Sequence, residues 1–219
     1  LAISYALRRR RIAYYVGLGL DVCLYDPRGI RKSEGIASEK GIYLDTEAAA
    51  SYLFDHLGYL PEKTAIVASC GATFAGTHLY RKYHDLGKRI NLVFEHSPLS
   101  MQHVVNRQGW LVSLIAKNAC SYIKDSDDPD HLQDGLNTLE KFETIKPVTT
   151  DDKGYAVLMY TVGDSTTPKS DVVTYGELIE RSGRLKAYVL RNDPRDVAKH
   201  NEQIVDPHIL YPFLNPKIQ

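Results

Sequence analysis

Ala65-Ile66-Val67-Ala68-Ser69-Cys70-Gly71-Ala72-Thr73-Phe74 runs from an apolar, β-rich stretch into a helical pattern through small residues only, and its reading decides the fold. A strand that turns sharply into a helix and holds a nucleophile at the corner has the pattern small-x-nucleophile-x-small, usually G-x-S-x-G. The flanks must be small because the corner residue is strained and neighbouring Cβ atoms would clash. Centred on Cys70, both flanks are alanine, Ala68 and Ala72. Centred on Ser69, the first flank becomes Val67, a β-branched residue poorly suited to the turn. Cys70 is therefore the candidate nucleophile. A helix N-terminus just behind it favours the thiolate, and a nearby imidazolium would favour it further. The Gly71 N–H would then point into an oxyanion hole. The same residues also suit a buried structural cysteine in a Gly-Ala turn, and this segment alone leaves both readings open.

Outward from the corner, short apolar runs alternate with longer helical patterns. The expected strands are Asp21–Tyr25, Ala65–Ala68, Asn91–Glu95, Ala156–Thr161 and Leu185–Leu190. They are mostly apolar on both faces, as strands covered by helices on either side must be. Leu44, Ala48, Tyr52, Leu53 and Leu57 recur with helical spacing and predict one buried helix face. Ile3–Gly17, Phe74–Tyr83 and Val172–Arg181 also read as helices. The alternation predicts an α/β domain with a doubly wound, mostly parallel sheet flanked by helices. Ligands of such sheets bind beyond the carboxyl ends of the strands.

Residues at those ends supply the rest of a site. Asp164 follows the strand at Ala156–Thr161, in Gly163-Asp164-Ser165-Thr166-Thr167-Pro168. An acid there can hold a histidine in the right tautomer, although a turn aspartate before a proline is also common. His200 follows the next strand and is the candidate base. His56, His78 and His84 fall in or beside helices, whereas His96 and His103 flank a strand end and could line a pocket. The chain order is nucleophile, acid, histidine.

The stretch 102–148 carries no clear strand. Trp110–Tyr122 and Leu132–Phe142 read as helices, so it forms helical cover or a small cap on a single domain spanning residues 1–219. Lysine plus arginine (27) equals aspartate plus glutamate (27), which gives no electrostatic reason to expect nucleic acid or an anionic membrane as partner. The run Arg8-Arg9-Arg10-Arg11 reads as a solvated helix face. Three cysteines without a C-x-x-C pair make neither a disulfide framework nor a zinc site, which points to the cytoplasm or another reducing compartment. No apolar run approaches the roughly 20 residues that span a bilayer, and no signal peptide is visible. The chain begins at Leu1, so membrane association is expected only through a segment preceding it. No metal and no cofactor are expected.

Leu24-Tyr25-Asp26-Pro27-Arg28-Gly29-Ile30-Arg31-Lys32-Ser33-Glu34-Gly35 resembles the D-x-R-G-x-G-x-S-x-G segment of α/β-hydrolases. Together with Ala37–Asp45 it is similar to the membrane-anchored branch related to the yeast bud-emergence hydrolase. That branch has the elbow G-R-S-L-G-G, whose serine falls on Cys70 and whose oxyanion-hole residue falls on Gly71. Phe94–Ser100 resembles the family's segment after its sixth strand. An acid four residues before a proline matches Asp164 and Pro168, and a histidine followed by asparagine matches His200-Asn201. The resemblance runs from about Ala13 to about Asn201. It implies an α/β-hydrolase fold whose N-terminal strands, with the first oxyanion-hole loop, lie outside this chain. It also implies a structural loop built on Asp26, Arg28 and Gly29. Three departures stand out: cysteine for serine, Ala72 and Thr73 for the two glycines, and Arg31 for the second glycine of the loop. Cysteine nucleophiles occur in the superfamily, as in dienelactone hydrolases.

The expected activity is hydrolysis of a small acyl ester or thioester by a Cys70–His200–Asp164 triad through a covalent acyl-enzyme. The alternative is a non-catalytic binding or scaffold protein on the same fold.

Overall fold

A computed structural model describes residues 5–107, 136–143, 154–160, 167, 168, 170, 171, 173, 174, 176, 177 and 185–191. In chain order the elements are α1 (Tyr5–Gly17), α2 (Glu39–Ser51), β1 (Ala65–Ser69), α3 (Ala72–Asp85), β2 (Asn91–Glu95), α4 (Met101–Arg107), α5 (Thr138–Glu143), β3 (Gly154–Tyr160) and β4 (Leu185–Arg191). A π-helical turn, Tyr52–His56, prolongs α2. The described residues within 170–177 are helical.

The four strands form one parallel sheet in the order β1-β2-β3-β4. Its register draws a straight row across the sheet: Ser69 pairs with Glu95, Glu95 with Met159, and Met159 with Leu190. All four carboxyl ends therefore lie along one edge. Every residue of β2 is buried, which is what an interior strand covered on both faces requires. Ala68, Tyr80, Ile90, Leu92, Phe94 and Phe142 form the core where α3 and α5 meet the sheet. A second cluster, Tyr43, Phe74, Ala75 and Leu136, fills the junction of α2, α3 and the chain leading into α5.

Three expectations are corrected. Asp21–Tyr25 is not a strand: it is irregular, and Leu24 and Tyr25 are exposed. A strand exists only by pairing, and β1, on the sheet's edge among the described residues, pairs with β2 alone. The Leu44, Tyr52 and Leu57 face of α2 points to solvent, while Glu39, Tyr43, Thr46 and Ala50 are buried. Apolar spacing pointed to one face, but hydrogen bonds and ring stacking dock the other. The helix expected over Leu132–Phe142 starts, in its described part, only at Thr138. Leu136 has φ 52° and Asn137 bridges Ser100, so neither residue is helical. The expected helix at Trp110–Tyr122 lies outside the described residues. No described helix is long and apolar enough to cross a membrane.

Candidate active site

Cys70 is the single residue between β1 and Gly71, which caps α3, and its φ is 53°. That left-handed conformation costs a residue with a Cβ about 1–2 kcal/mol, so the surroundings must hold it. They do so at both ends of the residue. The Cys70 N–H donates to the Glu95 carbonyl at 2.9 Å, which fixes the corner to the end of β2. The Cys70 carbonyl accepts from the Thr73 N–H at 3.0 Å and from Thr73 Oγ1 at 2.6 Å. Cys70 is half-buried, and its thiol is not in a disulfide. Gly71, with φ −59° and ψ −20°, already has helical geometry.

Close approach of α3 to β1 sets this corner. A Cβ on Gly76 would stand 2.8 Å from the Ala68 Cβ and 3.3 Å from Ile66 Cγ2. Glycine at that point lets the helix lie directly on the strand, as the small-residue corner demands.

The neighbouring strand end repeats the strain. His96, directly after β2, has φ 52° and is fully buried. Glu95 and Ser97 on either side are buried as well. His103 is exposed on α4, with its Nδ1 2.9 Å from Ser100 Oγ. His56 is exposed, His84 is buried, and His78 stacks on Tyr43 with ring centroids 4.3 Å apart.

Asp26, Arg28 and Gly29 lie in the loop leading to α2. Arg28 donates its backbone N–H to Asp45 Oδ2 at 2.7 Å, and Nε and Nη2 to Oδ1 at 3.0 and 2.7 Å. The guanidinium holds the Asp45 carboxyl below its ordinary range, and the same hydrogen bonds raise Arg28. The Arg28 side chain crosses α2 at Gly41, where a Cβ would meet Arg28 Cδ at 2.5 Å. Gly29 has φ 69°, and a Cβ there would stand 2.9 Å from the Ala37 nitrogen. Asp26 accepts Ser33 Oγ at its carbonyl, 2.6 Å away, and its carboxylate lies 3.9 Å from Arg31 Nε. Arg31 has φ 57°, the backbone that a glycine adopts without strain.

A buried polar chain beside this region leaves no signature in the sequence. Lys141 Nζ donates to Tyr43 Oη at 2.7 Å, and Tyr43 Oη donates to Glu39 Oε1 at 2.8 Å. The same Glu39 oxygen accepts the Leu136 N–H at 3.1 Å. Burial drives Lys141 down to about 7 and Tyr43 up beyond its ordinary range. One part of this region was legible: Ser38 opens α2 and accepts the Gly41 N–H at 3.0 Å, as an N-cap serine does.

Asp164 and His200 lie outside the described residues. Among the described residues, no group of three or more His, Cys, Asp or Glu side chains could hold a metal ion.

No family model and no curated protein sequence matches the chain. Solved structures do. An alpha-beta hydrolase from Vibrio vulnificus aligns with a TM-score of 0.59 at 14% identity, over 88% of this chain and 60% of that one. Acetyl xylan esterase 1 from Thermoanaerobacterium aligns with a TM-score of 0.58 at 15% identity, over 94% and 68%. Mouse alpha/beta hydrolase domain-containing protein 10 aligns with a TM-score of 0.55 at 14% identity, over 99% and 84%. The chain thus spans 60% of the Vibrio protein's length. The parallel sheet, the left-handed corner at Cys70 and these likenesses define the class: the chain has the α/β-hydrolase fold.

Proposed function

We propose that the chain is a hydrolase of small acyl esters or thioesters that works through a covalent acyl-enzyme on Cys70. The observation that carries this reading is the left-handed Cys70 at the β1–α3 corner, the strained geometry of a nucleophile elbow. His200 accepts the Sγ proton as Sγ attacks the carbonyl carbon. The C–S bond forms, the leaving group departs with that proton, and water then releases the acid. Asp164 orients His200, and the Gly71 N–H stabilises the oxyanion. The sheet register supports this grouping, since Asp164 follows β3 and His200 follows β4 in the chain, and both strands end level with Cys70. The esterase named among the fold's neighbours supports an ester as substrate. The proposal includes the kinship with the branch related to the yeast bud-emergence hydrolase. It also includes a reducing compartment and no nucleic-acid partner.

Intact-protein mass spectrometry after treatment with a reactive acyl probe tests it. With Cys23, which is exposed, and Cys120 replaced by serine throughout, the parent protein and Ser69→Ala should gain one acyl mass, and Cys70→Ala should gain none. A site tuned to a thiolate–imidazolium pair should lose orders of magnitude in rate with Cys70→Ser. Equal labelling of the parent and Cys70→Ala would move the nucleophile elsewhere. If the folded protein resists several probe classes, the non-catalytic binding or scaffold reading takes over. Arg31, held at φ 57° where the related loop has glycine, favours that second reading.

A further inference from the structure

We propose that Thr73 is a positioning residue of the oxyanion-hole peptide. The inference rests on the acyl-enzyme reading above and assigns a task to a residue that replaces glycine in the related elbow. The Cys70 carbonyl and the Gly71 N–H belong to one planar peptide unit, so whatever fixes one fixes the other. Thr73 fixes the carbonyl twice, with its N–H at 3.0 Å and its Oγ1 at 2.6 Å. A glycine would supply the first contact and never the second. Thr73 is fully buried, and its own carbonyl accepts Thr77 Oγ1 at 2.7 Å, which anchors the residue's backbone. Two donors on one carbonyl oxygen polarise the amide, which makes its N–H a stronger donor. That N–H faces developing negative charge only when the attacked group is a carbonyl.

The test separates a reaction with an oxyanion from one without. p-Nitrophenyl acetate acylates Cys70: the C–S bond forms, the ester C–O bond breaks, and p-nitrophenolate leaves while the thiol proton passes to the base. In the same background without Cys23 and Cys120, iodoacetamide alkylates the Cys70 sulfur by displacing iodide, and no oxyanion forms. Thr73→Val, which keeps the shape and the N–H, should slow acylation on the order of tenfold and leave alkylation unchanged. Thr73→Ser should restore acylation, and Thr73→Ala should show the same split as Thr73→Val. Equal slowing of both reactions would mean that Thr73 only supports the corner, and it would overturn the proposal. Unchanged acylation in Thr73→Val would overturn it too. Acylation that persists in Cys70→Ala would instead defeat the acyl-enzyme reading itself, and this inference with it.

Discussion

Arg28 gives its guanidinium and its own backbone N–H to one carboxylate, that of Asp45, and so ties the loop after residue 25 to the second turn of α2. The fork needs a planar donor with two N–H groups, so lysine cannot replace it. Arg28→Ala and Arg28→Lys should both lower the melting temperature by a few degrees while acyl labelling at Cys70 persists. Loss of labelling with an unchanged melt would place Arg28 at the substrate instead. The same pair sets an acid limit. Asp45 is held below its ordinary pKa by Arg28, so its contribution is complete above the unfolded value, about pH 4. It is lost as pH falls through the folded value. Thermal melts taken downward from about pH 5 should therefore fall more steeply for the wild type than for Asp45→Asn.

At the scale of elements, the contact of α3 with β1 is the one on which the corner depends. Gly76→Ala would add helix propensity of up to about 1 kcal/mol. Its Cβ would also stand 2.8 Å from that of Ala68, which is itself buried and cannot swing aside. Overpacking of this kind costs about 1–3 kcal/mol, so the variant should be less stable by about 1 kcal/mol in urea denaturation. It should also slow iodoacetamide alkylation of Cys70, because the displaced helix begins beside that residue. A Gly76→Ala protein as stable as the wild type would show that α3 has room to move. These elements also mark what a sequence can reveal. β2 was readable because its centre, Leu92-Val93-Phe94, is apolar on both faces, as an interior parallel strand must be, and needs no knowledge of its neighbours. Cys70 was readable because only small residues fit around a left-handed corner. The strand expected at Asp21–Tyr25 failed because pairing is non-local and no run of side chains encodes a partner's presence. The docked face of α2 failed for a related reason. Tyr43 accepts a hydrogen bond from a lysine 98 residues away and Glu39 accepts one from the Leu136 N–H, 97 residues away, and periodicity cannot register such contacts. The second hydrogen bond to the Cys70 carbonyl was equally hidden, since Thr73 counted only as a departure from glycine.

Across the whole molecule, α2, α3 and the chain entering α5 meet around a buried chain of ionisable groups, and this junction should give the protein a distinctive pH response. Lys141 and Glu39 are joined through Tyr43, whose ring stacks on His78, and His78 Nε2 lies 2.7 Å from Glu47 Oε1. Lys141 also feels Arg81 on α3. Burial is the largest influence on Lys141 and lowers it to about 7, against about 10.4 in the unfolded chain. A depressed folded pKa means that the unfolded state binds more protons throughout that interval. Stability should therefore rise with pH from about 7 upward, and it should be lost as pH falls back to the folded value. Three other groups bound the window. Tyr43 and Tyr80 are raised by burial, so their contribution is lost only above about pH 10. His78 is lowered, chiefly by burial, so its own contribution is lost only below about pH 6.5. Between these limits Lys141 acts alone among the four. Urea denaturation at about pH 7.5 and pH 9 should show the wild type gaining on the order of 1–2 kcal/mol at the higher value. Lys141→Met removes the titrating amine while keeping its apolar stem, so its stability should be flat across the interval. A wild-type protein with no pH dependence there would mean that Lys141 titrates as it does in water. A Lys141→Met protein that kept the full dependence would assign it to another group.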